Sequence, residues 1–333
     1  MDGMPDAPPK SREDREVPSD LAGRPLDGVV RTLYGVSWGD ARKWIASGKV
    51  RVDGEPVTDG LKYVRAGSRL SLTMNAPRMA KGLVLDDAAI VHVDAHVVVV
   101  NKPSGVSTIP FEGKTALRAS GGTRGATSDR ETLDELVRAW LSKRMKKGER
   151  DTRPSLGVVH RLDKETSGVL VFTRTWLAKE SLAGQFRAHT VHRRYLAIAH
   201  GVVQPRTIRS QIVADRGDGL RGTLRNARGR GGEGQVAITH VEVVEALDGA
   251  TLIACRLETG RTHQIRVHLS EAGHPIVGER VYVRGYVPPQ IPAPRLMLHA
   301  AELGFMHPQT NVEVRFERPP PADFQETLAR LRK

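Results

Sequence analysis

The chain has 333 residues, of which 51 are Lys or Arg and 38 are Asp or Glu, so its formal net charge is +13. This balance indicates an anionic partner, with nucleic acid as the first candidate, although basic residues can also simply solubilise a surface. No run of about 18 apolar residues predicts a membrane span, and the first residues lack the apolar core of a signal peptide. A single cysteine, Cys255, lies in a strand-like segment and allows no disulfide within the chain, so we expect a buried thiol and a cytoplasmic protein.

The first part of the chain predicts a tail followed by a small domain. Residues 1–23 are charged and poor in apolar side chains, which is typical of a disordered tail. Residues 24–74 predict two helices, the first from Leu26, Val29, Val30 and Leu33 at helical spacing and the second at 37–46 with Ser37 as its N-cap. Two short strands with turn glycines follow them.

This order of two helices and a hairpin resembles the small RNA-binding module named after ribosomal protein S-four. The stretch Ala46–Gly54 carries much of the resemblance, because its glycine permits a tight exit from the helix. The resemblance implies RNA contacts by basic residues at the junction, namely Arg42, Lys43, Lys49 and Arg51. Phosphate contacts of this kind add affinity for any sequence and do not choose a base. A packing domain with incidental basic residues is the alternative.

Beyond a linker at 75–88, residues 89–320 predict one larger domain. We predict strands at 90–94, 97–101, 192–201, 235–247 and 251–258, helices at 131–147, 177–188 and 262–272, a glycine- and arginine-rich arm at 215–235, and a final hairpin within 305–316. The helix at 262–272 would begin at Thr262 as its N-cap, and a last helix occupies 321–333. Strands and helices alternate without a regular βαβ repeat, so the predicted fold class is α+β with a mixed, mostly antiparallel central sheet.

A dense polar cluster lies between apolar flanks within Gly157–Phe172. Packing between two strands gives no reason for a turn of this polarity, and functional groups tend to lie on such loops. A structural explanation is a salt-bridged turn in which Arg161 pairs with Asp163 or Glu165.

Three other segments form a set with this cluster. They are a strand ending in Asn-Lys-Pro-Ser-Gly at 101–105, a basic strand containing Tyr195, and Thr-Gly-Arg-Thr-His-Gln-Ile-Arg at 259–266. Together with His-Arg-Leu-Asp at 160–163, these segments resemble, in order, the motifs of the RluA-type pseudouridine synthases, which isomerise uridine in RNA. The resemblance extends over residues 89–317.

The resemblance implies a role for each matching residue. Asp163 would be the nucleophile, and Arg266 would form an ion pair with it. Tyr195 would offer a flat face to the uracil and a hydroxyl that could accept or relay a proton. Arg161 would fill the gap left by the flipped nucleotide, and Leu298 would pack against the target base. The remaining predicted substrate-binding residues are His160, Thr166, Arg261 and Gln264. Lys102 is a possible phosphate contact.

The chain departs from the family pattern after Gly278. The family usually continues with aspartate and then Tyr-Gly, whereas this chain has Glu279 and Tyr282-Val283. We expect this departure to affect a surface turn near the site more than the chemistry.

The resemblance implies an RNA partner, with large-subunit (23S) ribosomal RNA favoured over transfer RNA, and we expect a monomer that needs no cofactor. A metal hydrolase is a rival because the chain has 12 histidines, and zinc sites use three or four ligands with tight local spacing. His189 and His192 are three positions apart, His263 and His268 are five apart and do not share a helical face well, and no cysteine pair or acidic motif assists them. We therefore expect no metal. A non-catalytic RNA-binding protein of ribosome assembly is the rival outside the enzymes.

Overall fold

The computed structural model describes residues 13–57, 60, 63–74, 85–110, 132–144, 155–227 and 233–332. The chain divides into two compact units, Met1–Val84 and Leu85–Lys333. Their boundary falls inside the predicted linker at 75–88, most of which lies outside the described residues.

The first unit contains two helices and a four-stranded antiparallel sheet. Its elements are β1 (Glu13–Glu16), α1 (Leu26–Tyr34), α2 (Trp38–Ala46), β2 (Val50–Val52), β3 (Glu55–Pro56) and β4 (Arg69–Leu72), with strand order β1-β4-β2-β3. Apolar residues of both helices pack on the sheet in one core. Ser37 caps α2 as predicted, since its Oγ accepts from the Asp40 amide at 3.1 Å, and Gly48 leaves the helix with a φ of 72°.

The prediction of a disordered tail through residue 23 is wrong for residues 13–23. Glu13–Glu16 pairs with β4 as an edge strand, and Val17 and Leu21 are buried in the core of the first unit. Backbone pairing orders this strand although its side chains are charged, so a composition typical of disorder does not reveal it. Residues 1–12 lie outside the described part of the chain.

The second unit is organised around one large sheet. Its strands are β5 (Ile90–Val93), β6 (Val97–Lys102), β7 (Gly157–Val158), β8 (Ser167–Thr173), β9 (His192–His200), β10 (Arg206–Val213), β11 (Gly222–Thr223), β12 (Gln235–Leu247), β13 (Ala250–Leu257), β14 (Leu298–Met306) and β15 (Glu313–Glu317). The helices are α3 (Leu133–Ser142), α4 (Trp176–Arg187), α5 (Gln264–Glu271) and α6 (Ala322–Leu331). The main strand order is β11-β10-β12-β13-β9-β14-β8-β6-β5, with β15 on β14 and β7 on β8.

Of the strand pairs in the described residues, β14 with β8 is the parallel one and the others are antiparallel. The prediction of a mixed, mostly antiparallel sheet is therefore confirmed. Alternate residues of β8 separate onto the two faces, as the strand period requires. Leu170 and Phe172 pack in one core with α3, α5 and α6, while Val169 and Val171 pack in another with α4.

The parallel contact between β8 and β14 depends on Gly168. Its φ is 116° and a Cβ there would lie 2.1 Å from the Ala300 carbonyl oxygen, so a side chain would collide with the backbone of β14. This approach brings the loop that precedes β8 beside the start of β14, where Leu298 lies.

The predicted start of α5 is wrong by one residue. The residue before the helix is His263 and not Thr262, and it adopts the left-handed conformation with φ 59° and ψ 19°. No side-chain cap is formed by His263. The Gln264 side chain instead accepts from the Arg261 amide at 3.0 Å. Gly273 ends the helix region with a φ of 86°, as predicted.

Candidate active site

The polar loop at 160–166 is held in place by the segment that follows β6. The hydroxyl of Ser104 donates to the Glu165 carbonyl at 2.7 Å. The buried hydroxyl of Thr108 donates to the Leu162 carbonyl at 2.8 Å and accepts from the Leu162 amide at 3.2 Å. The loop is thus fixed from outside, which orients a side chain at its centre.

Lys102 supports the same loop from beneath. Its ammonium donates to the carbonyl oxygens of Pro103, Val106 and Lys164 at 2.9, 2.8 and 3.0 Å. The side chain is 1% exposed, and burial lowers the pKa of Lys102 to about 7 despite the opposing charge of Asp163. Our prediction of a possible phosphate contact is wrong, because the ammonium is enclosed and fully bonded to the protein.

A cavity of about 480 Å³ opens beside this loop. Its size is within the usual range for a small-molecule site. All nine predicted catalytic and substrate-binding residues of this unit line it, namely His160, Arg161, Asp163, Thr166, Tyr195, Arg261, Gln264, Arg266 and Leu298. Three of the four sequence motifs therefore meet at this cavity, although more than 100 positions separate the first of these residues from the last. The fourth motif, at 101–105, supports the loop through Lys102 and Ser104.

A basic side chain that we did not predict for the site, that of His263, lies beside the Asp163 carboxylate. Asp163 Oδ1 lies 3.9 Å from His263 Nε2, and the Asp163 side chain is 16% exposed. The loop closes on itself behind the carboxylate, because the Thr166 amide donates to the Asp163 carbonyl at 3.1 Å. The carboxylate is thus held at the cavity surface with one imidazole close by.

Arg266 makes its ion pair with Glu279, not with Asp163 as the resemblance implies. Its Nε and Nη2 donate to the two Glu279 carboxylate oxygens at 2.6 and 2.7 Å. Burial alone would raise the pKa of Glu279, but the hydrogen bonds and charge of Arg266 hold it below its usual range. Asp163 lies close enough to act on Arg266 through its charge, since it contributes to the raised pKa of the guanidinium.

The expectation that position 279 belongs to a surface turn is also wrong. Glu279 is 2% exposed, and its Oε1 accepts from the amides of Arg280 and Val281 at 3.0 and 2.9 Å. The carboxylate thus ties the turn to Arg266 in the cavity wall. The Tyr282 ring lies over the same guanidinium, 5.1 Å from Arg266 Cζ.

Tyr195 and Leu298 form an apolar wall of the cavity. They lie on adjacent strands, where Tyr195 pairs with Ala300 and Leu298 pairs with Ala197. Their side chains share the face of the sheet that packs in the larger core. Burial raises the pKa of Tyr195 to about 12, with Arg193 opposing and Asp163 adding to the rise. The phenol is therefore neutral at physiological pH.

His160 has a structural environment although it lines the cavity. Its Nε2 accepts from the Val171 amide at 3.1 Å, and its ring stacks on Phe186 with centroids 4.5 Å apart. Burial lowers the pKa of His160 to about 3, and the charge of Arg193 acts in the same direction. Arg193 itself donates to the Glu258 carbonyl at 2.7 Å.

The amide of Gln264 is also fully occupied by protein groups. Its oxygen accepts from Thr259 Oγ1 at 2.8 Å, and its nitrogen donates to Ile238 O and Thr239 Oγ1, both at 3.0 Å. Arg261 donates from Nε to the Val236 carbonyl at 3.0 Å. Arg161, by contrast, is exposed at the cavity, as a residue that contacts RNA would be.

In the first unit, the four predicted RNA contacts have different surroundings. Arg42 and Lys43 are exposed on α2, Lys49 is partly buried, and Arg51 is exposed and donates to the Gly54 carbonyl at 3.0 Å. Arg42 is also bonded to Asp27 Oδ2 at 3.0 Å.

Trp38 is a candidate RNA contact that sequence reasoning missed. It is 46% exposed, and the guanidinium carbons of Arg31 and Arg42 lie 5.2 and 5.4 Å from its ring. An aromatic residue four positions before a basic one on a helix was the available signal.

Several functional candidates of the second unit were missed for a common reason. Their contacts at the cavity join positions that are distant in sequence, so no local pattern marks them. These residues are Arg193, His263, Glu279 and Tyr282.

Within the described ranges, no group of three or more His, Cys, Asp or Glu residues could hold a metal ion. None of the helices in those ranges is long and apolar enough to cross a membrane. Cys255 is buried, which confirms the prediction of a buried thiol, and burial raises the pKa of this thiol to about 12.

A carboxylate, a tyrosine and an arginine thus share one cavity in a mixed sheet, in a chain that also carries a basic helix-and-hairpin unit. This is the arrangement that the motif resemblance implies for the class of enzymes that isomerise nucleotides within RNA. The family model described as RNA pseudouridylate synthase matches residues 96–271, and the model described as S4 domain matches residues 24–69. The chain belongs to the RNA pseudouridylate synthase family.

Relatives along nearly the whole chain agree with this assignment. A Bacillus subtilis (strain 168) protein described as an uncharacterized RNA pseudouridine synthase is 34% identical over 305 residues, covering 88% of each chain. The ribosomal large subunit pseudouridine synthase D of Pseudomonas aeruginosa is 33% identical over 330 residues, covering 96% of this chain and 95% of the relative. A solved structure of human RNA pseudouridylate synthase domain containing 4 superposes with a TM-score of 0.56 at 26% identity, over 74% of this chain and 93% of that one.

Proposed function

We propose that this enzyme converts uridine to pseudouridine in large-subunit ribosomal RNA and that Asp163 is its nucleophile. The observation that carries the proposal is the position of Asp163 on a fixed loop at the cavity surface, beside Tyr195 and Leu298. A carboxylate can add covalently to the sugar or to the base and later depart. The target nucleotide must leave its helix first, because its reacting face is otherwise stacked.

The surroundings support Asp163 over its neighbour Glu165. The Glu165 side chain is exposed, and its carbonyl is held by Ser104. Asp163 instead lines the cavity with the apolar wall of Tyr195 and Leu298, where a flat base can pack. Arg266 lines the same cavity and holds a positive charge close to this carboxylate, since Asp163 contributes to the raised pKa of its guanidinium.

Two further observations support ribosomal RNA as the substrate. The Pseudomonas aeruginosa relative named above and several others carry the name ribosomal large subunit pseudouridine synthase D. The first unit presents exposed basic residues and Trp38, which suits contacts to the phosphates and bases of a folded RNA.

The test is a pseudouridine map of ribosomal and transfer RNA from cells with and without the gene. We expect specific large-subunit sites to vanish on deletion and to return with the wild-type gene and with Glu165→Gln, a matched carboxylate change on the same loop. Asp163→Asn should not restore them, although its purified protein should bind ribosomal RNA as tightly as wild type. Identical maps, or restoration by Asp163→Asn, would contradict the proposal. If sites vanish from transfer RNA alone, the substrate is transfer RNA and not ribosomal RNA.

A further inference from the structure

Moving the glycosidic bond of uridine from N1 to C5 requires a proton transfer whatever atom the nucleophile joins. When C5 bonds to C1′ of the ribose, C5 still carries its hydrogen and the ring is no longer aromatic. The C5–H bond must then break, its electron pair must form the C5=C6 double bond, and N1 must gain a proton. A base within reach of C5 is therefore part of the reaction.

Most polar groups in the cavity are poorly suited to accept this proton. The Tyr195 phenol stays protonated, because burial raises its pKa to about 12, and a protonated phenol is a weak base. The His160 Nε2 lone pair is already used by the Val171 amide. Arginine has no acceptor and stays protonated, and a carboxylate such as that of Asp163, once it has departed from the substrate, is by its chemical type a weaker base than an imidazole.

His263 has the geometry of a base. Its Nδ1 lies 2.6 Å from the Tyr282 hydroxyl, and the other nitrogen, Nε2, lines the cavity 3.9 Å from Asp163 Oδ1. When Nδ1–H donates to Tyr282, Nε2 carries the free lone pair on the side of the reacting group. The left-handed backbone at φ 59° turns this side chain into the cavity from a position just before α5, where a helical residue would point elsewhere.

We propose that His263 is the catalytic base that removes the C5 proton. This inference rests on the proposed function of Asp163 as nucleophile. Nε2 takes the proton, the C5–H pair closes the C5=C6 bond, and the C6=N1 pair moves to N1, which takes up a proton from the new imidazolium or from water. No atom is gained or lost, so the step is an isomerisation.

The charges around His263 suit both states of the ring. Burial lowers the pKa of His263, with Arg266 and Arg221 acting in the same direction and Asp163 and Glu279 opposing them. The ring is therefore neutral and able to accept a proton at physiological pH. Once it is protonated, Asp163 at 3.9 Å provides a negative charge that stabilises the imidazolium.

The variant that tests the base is His263→Asn, because asparagine tolerates the left-handed conformation better than most residues. His189 offers a matched control: it has the same φ of 59° and also lines the cavity, so His189→Asn removes an imidazole from the same surroundings. The substrate is in vitro transcribed large-subunit ribosomal RNA, made with uridine carrying either hydrogen or deuterium at C5. Single-turnover rates are measured from pH 5 to 9 under conditions of equal RNA occupancy.

We expect His263→Asn to slow product formation by about 100-fold to 10,000-fold, the usual contribution of a positioned acid or base. Removal of the base should also make C5–H cleavage limit the rate, so the isotope effect at C5 should rise above that of wild type. The decline of the wild-type rate towards acid pH, where the ring is protonated, should disappear in this variant. His189→Asn should keep the wild-type isotope effect and pH profile.

A slow His263→Asn with an unchanged isotope effect and pH profile would show a positioning role and overturn the inference. A His263→Asn variant that forms product as fast as wild type would also overturn the inference. If His263→Asn does not fold by circular dichroism, Tyr282→Phe removes the partner of Nδ1 and must raise the isotope effect; an unchanged value overturns the inference equally. Wild-type protein that leaves this RNA unmodified, or an active Asp163→Asn, overturns the proposed function and the inference with it.

Discussion

Glu279 binds Arg266 through both carboxylate oxygens, at 2.6 and 2.7 Å, in a pair that is almost completely buried. Such a pair is a weak source of net stability, but loss of one partner leaves an uncompensated charge. The same carboxylate accepts backbone amides of the turn at 280–282, so Arg266 is held by a turn that is itself organised by Glu279.

We predict that Glu279→Gln lowers the free energy of unfolding by about 1.5–3 kcal/mol at pH 7, the range for hydrogen bonds to charged groups. The amide oxygen still accepts from the turn, so the change isolates the lost charge. The pKa of Glu279 is lowered in the folded state, so its contribution is complete above the ordinary value of 4.5 and is lost as pH falls through the lower folded value. Urea unfolding of wild type and Glu279→Gln should give unfolding free energies whose difference is constant above pH 5 and narrows at acid pH. A difference that does not depend on pH would contradict this reasoning.

Gly168 gives a second prediction. Gly168→Ala should reduce the unfolding free energy by about 3 kcal/mol, because the new Cβ meets the Ala300 carbonyl and the backbone is in a left-handed region. Gly184→Ala is the control: Gly184 lies in α4 with open space around its Cβ position, so alanine should stabilise by about 1 kcal/mol. Thermal unfolding monitored by circular dichroism measures both. Equal effects of the two changes would show that packing at Gly168 is not restrictive.

The sequence predicted elements and motifs well because their signals are local. Alternation and turn glycines located β12 and β13 to within a residue or so, and the period of apolar residues located α1. The charged strand Glu13–Glu16 was missed because its order comes from pairing with β4, more than 50 positions away.

The same distinction applies to the site. The motif resemblance identified nine residues that line the cavity, but it did not predict which residues contact each other there. Arg266 was assigned to Asp163, whereas the partner at hydrogen-bonding distance is Glu279, because one buried carboxylate can reach two guanidinium nitrogens at once. The imidazole beside Asp163 depends on a left-handed residue at 263. Histidine is enriched in that conformation, but the enrichment does not indicate which of the 12 histidines adopts it.

Lys102 gives a prediction that depends on pH. The pKa of Lys102 is lowered by burial to about 7 in the folded protein, from an ordinary value of 10.5. Between these values the unfolded chain binds the proton more strongly, so this residue makes stability rise with pH across that window. The free energy of unfolding of the wild type, relative to that of Lys102→Met, should therefore increase between pH 7 and 10. Urea unfolding at several pH values measures this difference, and one that stays flat would mean that the three carbonyl oxygens keep the ammonium protonated.

Trp38 provides a test of how the first unit holds RNA. An exposed indole flanked by Arg31 and Arg42 can stack on a base, and such stacking contributes about 1–3 kcal/mol per base. Trp38→Ala should therefore weaken binding to large-subunit ribosomal RNA by about tenfold or more, without changing the single-turnover rate at saturating protein.

The salt dependence separates stacking from charge. Trp38→Ala should leave the slope of the logarithm of affinity against the logarithm of salt concentration unchanged, whereas Arg31→Ala should reduce it by about one. Trp176→Ala is the matched control, since this tryptophan is 75% exposed on α4 of the other unit. Filter binding at three salt concentrations measures all of these proteins. If Trp176→Ala weakened binding as much as Trp38→Ala, the loss would reflect exposed aromatic surface in general and not a stacking position on the first unit.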